Sequence, residues 1–221
     1  MTENGQSLTL YDYWRSSSAY RVRIALNLKG LDYRQQPVHL VRNGGEQNSE
    51  EYRRLNPLGL VPALVHGDEI VTESLAICEY LEELFPEPAL LPESPVDRAH
   101  VRRMALGIAC SVQPMNNLAV LNYIKTKFHA DEAAVKAWYS QWIKRGFSAM
   151  EQWLDPQGPA GSFCYGDTPG LADCFLVPQV YNAERFECDL GPYPRIREIT
   201  AHCRAHEAFI QAAPENQPDA A

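Results

Sequence analysis

The sequence is short of basic residues and has no long uninterrupted apolar run. Its 20 lysines and arginines stand against 28 aspartates and glutamates, which gives a formal charge of −8. A nucleic-acid partner needs a basic face for its phosphates, so this balance argues against one. No uninterrupted apolar run reaches the roughly 18 residues of a membrane span, and the first six residues do not resemble a signal peptide. We therefore expect a cytoplasmic protein that binds neither nucleic acid nor membrane.

The six cysteines include no C-x-x-C pair. This absence excludes a zinc knuckle and a dithiol redox motif, and it predicts cysteines that are reduced and mostly buried. His202 and His206 are four residues apart and could share a helix face as metal ligands, but no glutamate completes an H-E-x-x-H arrangement. A solvated helix face is the better interpretation, and we predict no metal site.

Apolar residues make up 45% of the chain, which is enough to form a core without metal or disulfide. Alternation over 7–13 predicts a strand, and apolar residues at helical spacing from Val22 to Gly30 predict a helix with Arg21, Arg23 and Lys29 facing outwards. A second strand is predicted over 33–41, a hairpin across Gly67-Asp68 and a helix over 74–85. This order is typical of a small α/β layer with a mixed sheet.

Four prolines between Pro86 and Pro95 mark a domain boundary, since neither a helix nor a central strand accepts them. Apolar residues at three-and-four spacing then predict an all-helical second domain, with helices over 97–127, 131–154, 171–186 and 193–206. We predict domains at 1–87 and 88–221, with a mobile tail from about residue 214 because that segment lacks apolar anchors.

The first candidate site is the turn between the first strand and the first helix. The segment Arg15-Ser16-Ser17-Ser18-Ala19 places hydroxyls beside the free backbone N–H groups of a helix start. Such a start favours an anion. The alternative is that one serine simply caps the helix.

Two further segments could bind an extended peptide. A cis proline at Val61-Pro62 would turn the backbone of Val61 outwards as a pairing edge, and we predict that Pro62 is cis. Glu73-Ser74, at the start of the next helix, offers a carboxylate, a hydroxyl and backbone N–H groups for the amino-acid end of a peptide. An ordinary helix cap is the alternative for this pair.

Several segments together resemble the zeta class of glutathione transferases, and the resemblance covers nearly the whole chain. They are Leu10-Tyr11, Tyr13 to Ser17, Arg21 to Gly30, Leu55-Asn56-Pro57, Val61 to Leu64, Ser74 to Ile77, Leu90-Leu91-Pro92, Gln113-Pro114, Asn117-Leu118, Leu176 to Val180 and Asn182 to Phe186. The resemblance implies a thioredoxin-like N-terminal domain, a helical-bundle C-terminal domain, glutathione as cofactor and a homodimer.

Carried over position by position, the resemblance implies a glutathione site in which some contacts can come from the partner subunit. Its residues would be Ser16, Ser17, Ser18, Ala19, Tyr20, Arg21, Gln47, Val61, Glu73, Ser74, Gln113, Asn117, Leu118 and Ala119. Ser16, or Ser17 beside it, would be the catalytic residue that donates a hydrogen bond to the glutathione sulfur and favours the thiolate.

The implied reaction is glutathione-dependent cis–trans isomerisation of a diketo dicarboxylic acid of the maleylacetoacetate type. Arg15 and Arg185 are the candidates for binding its carboxylates, because the arginine fork suits them. For Arg185 the alternative is a salt bridge with Glu184 or Glu187. Maleylpyruvate as substrate, and a glutathione-fold binding module without catalysis, remain alternative functions.

The sequence departs from the family pattern at three places. Ser18 stands where the family usually has a cysteine, which disfavours thiol–disulfide exchange. Gly59-Leu60 replaces a Gln or Thr that often precedes the proline, so a side-chain contact to glutathione is expected to be missing. Gly170 replaces a hydroxyl cap, while Asp173 keeps its structural place at the third position of that helix, and we expect a cost of only a few tenths of a kcal/mol.

Overall fold

The computed structural model describes residues 7–154 and 161–220. The contacts divide the chain into two units, one formed by the residues up to Leu90 together with those from Ala205 onwards, the other by Leu91–Arg204. The first border is three residues from the predicted one. The C-terminal residues, predicted to belong to the helical domain, fold with the first unit instead.

The first unit is built on a mixed four-stranded sheet in the order β2-β1-β3-β4. Its elements are β1 (Leu8–Asp12), α1 (Ser17–Leu28), β2 (Tyr33–Pro37), α2 (Glu50–Leu55), β3 (Ala63–His66), β4 (Glu69–Thr72) and α3 (Ser74–Leu84). β1 pairs with β2 in parallel and with β3 antiparallel, and β3 and β4 form the predicted hairpin. The parallel pair requires a crossover, which α1 provides. This is the α/β layer expected from the sequence.

The second strand is shorter than predicted because side chains turn the chain out of the sheet. The backbone N–H of His39 donates to the carboxylate of Glu46 at 2.7 Å. Nδ1 of His39 in turn accepts from the backbone N–H of Arg42 at 2.8 Å. Two short 3₁₀ helices follow, Arg42–Gly44 and Glu46–Asn48.

The prediction that three basic side chains of the first helix face solvent was wrong. Arg21, Arg23 and Lys29 are 2%, 0% and 5% exposed. The helix is covered on both sides, since α3 and a C-terminal helix, Glu207–Ala212, also pack on it. Each buried cation is matched by polar partners: Lys29 donates to Glu82 at 2.7 Å and to two backbone carbonyls. Helical periodicity in the sequence does not reveal a second covering layer.

The second unit contains the predicted helices, and its described residues include no strand. They are α4 (Pro95–Ser111), α5 (Leu118–Lys127), α6 (Glu132–Trp153), α7 (Leu171–Arg185) and α8 (Pro194–Arg204); the C-terminal helix Glu207–Ala212 of the first unit is α9. The single helix predicted over 97–127 is two helices. Pro114 cannot continue the first, because it has no N–H, and the side chain of Asn117 caps the second by accepting from Ala119 N–H at 2.9 Å.

The stretch Pro95–Lys127 is long and apolar enough to cross a membrane by length and composition, with a mean hydropathy of 1.3 in its most apolar window. The absence of a long uninterrupted apolar run in the sequence did not reveal this stretch, because its apolar character shows only as a mean over the window. It spans both α4 and α5, and α4 carries core residues such as Val101, Met104 and Ile108. A core helix passes the same test, so the stretch is weak evidence for a span.

The tail also differs from the expected mobile segment. Residues Pro214–Asn216 form a 3₁₀ turn, and Gln217 is 7% exposed. The amide of Gln217 donates to the carbonyls of Gln211 and Ala213 at 2.9 and 2.7 Å. Hydrogen bonds of the Gln217 side chain and the burial of Pro214 thus hold this segment in place.

Candidate functional site

The start of α1 follows a tight turn after β1. Ser16 is the N-cap residue, with extended backbone, and its Oγ accepts a hydrogen bond from the N–H of Ala19 at 3.2 Å. Ser16 therefore does cap the helix, as the alternative interpretation holds. It does not exclude the functional interpretation, because a hydroxyl that accepts one hydrogen bond can still donate its own proton. The first turn of α1 contains no acidic residue, so its positive end is not compensated within the helix.

Arg15 and Arg21 flank this start in different environments. The Arg15 guanidinium lies over the Trp14 ring, 5.2 Å from its centroid, and the side chain is partly exposed. Arg21 is buried, and its Nη1 donates to Oγ of Ser74 at 3.0 Å. That bond joins the starts of α1 and α3, so the structure brings together two of the predicted glutathione segments.

The Val61-Pro62 bond is cis, which confirms the prediction. The Val61 side chain packs in a cluster with Tyr13, Val38 and Tyr52, close to the end of β1 that leads into the serine turn. The preceding carbonyl, of Leu60, accepts from the Tyr52 hydroxyl at 2.7 Å, which fixes the loop. A third predicted segment is thus held beside the first.

Glu73 is exposed and has φ 68° and ψ 117°, a conformation that costs a residue with a side chain about 1–3 kcal/mol. It holds the N-cap position of α3, yet its side chain makes no capping hydrogen bond, and the first turn contains no acidic residue. The ordinary-cap alternative therefore does not explain Glu73. The backbone strain and the uncapped start are both consistent with a binding role.

Gln47 lies in the 3₁₀ turn Glu46–Asn48, and its backbone carbonyl lies against Gly59 in the loop before Val61. Its Nε2 donates to the carbonyl of Leu40 at 3.3 Å. Its Oε1 is buried, and within the described residues it has no hydrogen-bond partner. A buried acceptor left over in this way fits an N–H group of a bound peptide such as glutathione.

The predicted glutathione residues of the second unit lie around the break between α4 and α5. Gln113 precedes Pro114 and is partly exposed, Asn117 caps α5, and Leu118 and Ala119 are exposed in its first turn. Oδ1 of Asn117 is occupied by the Ala119 N–H. These residues surround another helix start without an acidic first turn.

Arg185 is exposed at the last residue of α7. Its guanidinium lies 5.6 Å from the Phe186 ring centroid, and Nη1 donates to Asn182 at 3.3 Å. Of the two acids in the salt-bridge alternative, Glu184 accepts two hydrogen bonds from Arg204, at 2.9 and 2.7 Å, and Glu187 pairs with Lys136. Both carboxylates are thus engaged by other cations.

Asp173 has the structural position predicted for it. Its carboxylate accepts from the N–H groups of Gly170 and Cys164, each at 2.9 Å, and from the Cys203 thiol at 3.6 Å. It is 1% exposed, and burial raises its pKa although the two backbone hydrogen bonds oppose the rise. The missing hydroxyl at Gly170 is thus compensated by a carboxylate that satisfies the loop and the helix start together.

The sequence reasoning missed a buried ion pair behind the serine turn. Asp12 and Arg23 are both fully buried, with Nη1 of Arg23 2.8 Å from Oδ2 of Asp12. Burial raises the pKa of Asp12, and the Arg23 guanidinium opposes the rise. The signal was present, because Asp12 falls on the inward side of β1 with Leu8 and Leu10.

The cysteines, and the two histidines considered as metal ligands, have structural surroundings. All six cysteines are free, and Cys78, Cys164, Cys174 and Cys203 are buried. His206 caps α9 by accepting from Ala208 N–H, and the ring of His202 packs on Phe163. Over residues 7–154 and 161–220 there is no group of three or more metal-ligating side chains.

Comparison with known proteins gives one consistent family. Residues 10–89 match the family model of the glutathione S-transferase N-terminal domain. A probable maleylacetoacetate isomerase of Vibrio cholerae is 50% identical over 97% of this chain and 99% of its own.

Two solved structures are similar over nearly their whole length. A maleylpyruvate isomerase, described as a bacterial zeta-class glutathione transferase, has 47% identity and a TM-score of 0.93 over 96% of this chain and 100% of its own. A maleylacetoacetate isomerase of Anaeromyxobacter dehalogenans, with glutathione bound in its active site, has 43% identity and a TM-score of 0.88 over 98% of this chain and 99% of its own. The chain belongs to the zeta class of the glutathione transferase family, among the maleylacetoacetate and maleylpyruvate isomerases.

Proposed function

We propose that this protein is a glutathione-dependent cis–trans isomerase that converts maleylacetoacetate to fumarylacetoacetate, in the breakdown of aromatic amino acids. The observation that carries the proposal is the start of α1, where the partly exposed Ser16 hydroxyl stands at a helix end without an acidic first turn. The relatives' activity and the glutathione in a similar structure give the reaction class. Bound glutathione supplies the nucleophilic sulfur that permits rotation about the substrate's cis double bond, and it is regenerated.

Ser16 stabilises the anionic form of the sulfur. A free thiol has a pKa of about 8.5, so at neutral pH most of it is protonated. A charge-assisted hydrogen bond of about 1.5–3 kcal/mol and a helix-end contribution of about 0.3–1 kcal/mol correspond to a fall of about two pKa units. That is sufficient for ionisation at neutral pH. Ser17, which is buried, is the second candidate for this role.

The peptide of glutathione is bound by backbone and side-chain groups of the first unit. Glu73 and Ser74 bind its γ-glutamyl end, the Val61 backbone pairs with its cysteinyl part, and Gln47 offers its buried Oε1. Gln113 and the residues from Asn117 to Ala119 are proposed as further contacts, from the same chain or from the partner of a homodimer. We expect such a dimer to work in the cytoplasm.

Arg15 and Arg185 are proposed as the cations that bind the substrate's carboxylates. An arginine fork matches a carboxylate bidentately, and its planar face also stacks on aromatic rings, as both of these guanidinium groups do here. Arg15→Ala and Arg185→Ala should lower kcat/KM by about 2–5 kcal/mol equivalent if a carboxylate is left unpaired in a closed site. The pKa of the bound thiol should not change, and Arg→Lys should rescue only partly.

The test is an isomerase assay of the purified protein with maleylacetoacetate and maleylpyruvate, each with and without glutathione. We expect turnover that depends on glutathione and is faster with maleylacetoacetate. Faster turnover of maleylpyruvate would move the proposal to the shorter acid, which a 47% identical relative of known structure acts on. Glutathione binding without turnover of either acid would favour a binding module, and failure of glutathione to raise the melting temperature would refute the proposed site.

A further inference from the structure

Residues 213–219, which we call the C-terminal strap, lie against the turn that precedes Ser16. Oδ2 of Asp219 accepts a hydrogen bond from the backbone N–H of Trp14 at 3.1 Å. The backbone carbonyl of Trp14 accepts from Nη2 of Arg23 at 2.8 Å. Side chains from two other segments therefore hold both polar backbone groups of Trp14.

The strap has a fixed base. Gln217 is buried and donates to the backbone carbonyls of Gln211, at the end of α9, and of Ala213, in the strap itself. Its Oε1 accepts from Nε2 of Gln35 on β2 at 2.8 Å. Asp219 is thus presented to Trp14 from a segment that is itself tied to the sheet.

The carbonyl group of Trp14 is also held firmly, by Arg23. Arg23 is fully buried, pairs with Asp12 and donates from Nε to the carbonyl of Ala212 at 3.0 Å. The guanidinium therefore connects the turn, the sheet and the residue that directly precedes the strap. Since it cannot move without breaking these bonds, the Trp14 carbonyl is held in place.

We propose that Asp219 is a positioning residue for the proposed thiolate site. The proposal rests on the function proposed above. Trp14 carries the Arg15 guanidinium on its ring, and the turn closes through the bond from Ser16 N–H to the Tyr13 carbonyl at 2.9 Å. A shift of the Trp14 peptide therefore moves the Arg15 fork and the Ser16 hydroxyl together. Hydrogen bonds from N–H to a carboxylate are among the stronger ones in proteins, which suits a fixed anchor.

The test compares Asp219→Ala with Asp219→Asn and with Glu215→Ala. Asn keeps an oxygen that can accept from Trp14 N–H, and Glu215 is an exposed acid of the same strap. The pKa of bound glutathione is measured from the ultraviolet absorbance of its thiolate, without isomerase substrate, and kcat and KM are measured separately.

We expect Asp219→Ala to raise the thiol pKa by about half a unit and to lower kcat/KM about tenfold, because small misplacements of catalytic groups have large effects on rate. The loss should fall on kcat more than on the KM for glutathione. Asp219→Asn should stay close to the wild type, and Glu215→Ala should not differ from it.

Each other result overturns the inference or addresses the proposed function instead. A lower melting temperature with unchanged thiol pKa and kcat/KM would mean that Asp219 is only structural. If Glu215→Ala changed the thiol pKa and kcat/KM as much as Asp219→Ala, the cause would be the change in net charge. If Asp219→Asn were as impaired as Asp219→Ala, the Trp14 contact would be excluded as the cause. If the Ala variant does not fold, Asp219→Glu moves the carboxylate by one methylene, and wild-type values for it would overturn the inference. A wild type that does not bind glutathione would refute the proposed function and not this contact.

Discussion

The starts of α1 and α7 show two different uses of the same backbone geometry. At α7 the acid Asp173 is almost fully buried and accepts from two backbone N–H groups and a thiol. At α1 the cap is the hydroxyl of Ser16, which is partly exposed and can still donate, and the first turn has no acid. The start of α7 is satisfied by the protein itself, whereas the start of α1 retains a hydroxyl donor and an uncompensated positive end.

The start of α2 shows that a serine cap and the charge of the first helical turn are independent features. Ser49 caps α2 by accepting from Tyr52 N–H at 3.2 Å, the same distance as at Ser16. The first turn of α2 carries Glu50 and Glu51, which compensate the helix end. Ser16 and Ser49 are thus equivalent as caps, but their helix starts differ as candidate anion sites. The difference lies in the charge of the first turn.

The largest expected effect comes from removing the internal acid at α7. Asp173→Ala leaves one buried and one half-buried N–H group without an acceptor. A buried group left unsatisfied costs about 1–3 kcal/mol, so the free energy of unfolding should fall by about 3 kcal/mol. Urea unfolding measures it, with the exposed Asp167→Ala of the same loop as control. An equal, small loss in both variants would contradict the internal role.

The same variant has a defined pH dependence. Burial raises the pKa of Asp173 above its ordinary value of 3.8, so the folded state favours the protonated form. Its contribution to stability is then complete below pH 3.8 and decreases as the pH rises through the raised pKa. The stability difference between wild type and Asp173→Ala should therefore shrink with rising pH in that range, and a difference that grows would contradict the raised pKa.

Ser16→Ala should have the next largest effect. The variant should bind glutathione but leave it protonated, so activity at neutral pH should fall about a hundredfold and partly recover at alkaline pH. Both Ser16→Ala and Ser49→Ala lose a helix cap, at about 1 kcal/mol of stability, but only the first should lose activity. The pH–rate profiles of the two variants measure this difference. An unshifted profile for Ser16→Ala would assign activation to Ser17 or to the helix N–H groups.

Much of the fold could be predicted from sequence because periodicity and prolines report local structure. The serine turn, the cis Pro62 and the Asp173 cap are also local features. Periodicity could not show that Arg23 is buried, because α9, which covers α1, lies far along the chain. Nor could apolar patterning show the strap, since Gln217 and Asp219 are held by side-chain hydrogen bonds. Polar long-range contacts carry no periodic signal.

At α3 the strained Glu73 gives a test in which stability and binding change in opposite directions. Glu73→Ala should raise the dissociation constant of glutathione about 30-fold, the equivalent of about 2 kcal/mol for a lost charge-assisted contact. Glu73→Gly should weaken binding similarly but stabilise the fold by about 1 kcal/mol, because glycine adopts positive φ without strain. Calorimetric titration and thermal unfolding measure the two effects, with the exposed Glu69→Ala as control. Unchanged affinity would exclude Glu73 from the site.

The smallest expected effect tests the charge difference between α1 and α2 directly. Ser18 and Glu51 both occupy the second helical position, so Ser18→Glu gives α1 the acid that α2 already has. The new carboxylate should stabilise the helix by about 0.3–1 kcal/mol and raise the pKa of the bound thiol by about half a unit to one unit, since it opposes the thiolate that the helix end favours. Glu51→Ser should lose a similar amount of stability and leave the thiol pKa unchanged. The thiolate absorbance of bound glutathione measured against pH decides between two accounts of activation. A raised pKa in Ser18→Glu would show that the helix end acts on the sulfur. An unchanged pKa would leave the hydroxyl of Ser16 or Ser17 as the source of activation and remove the proposed contrast between the two helix starts.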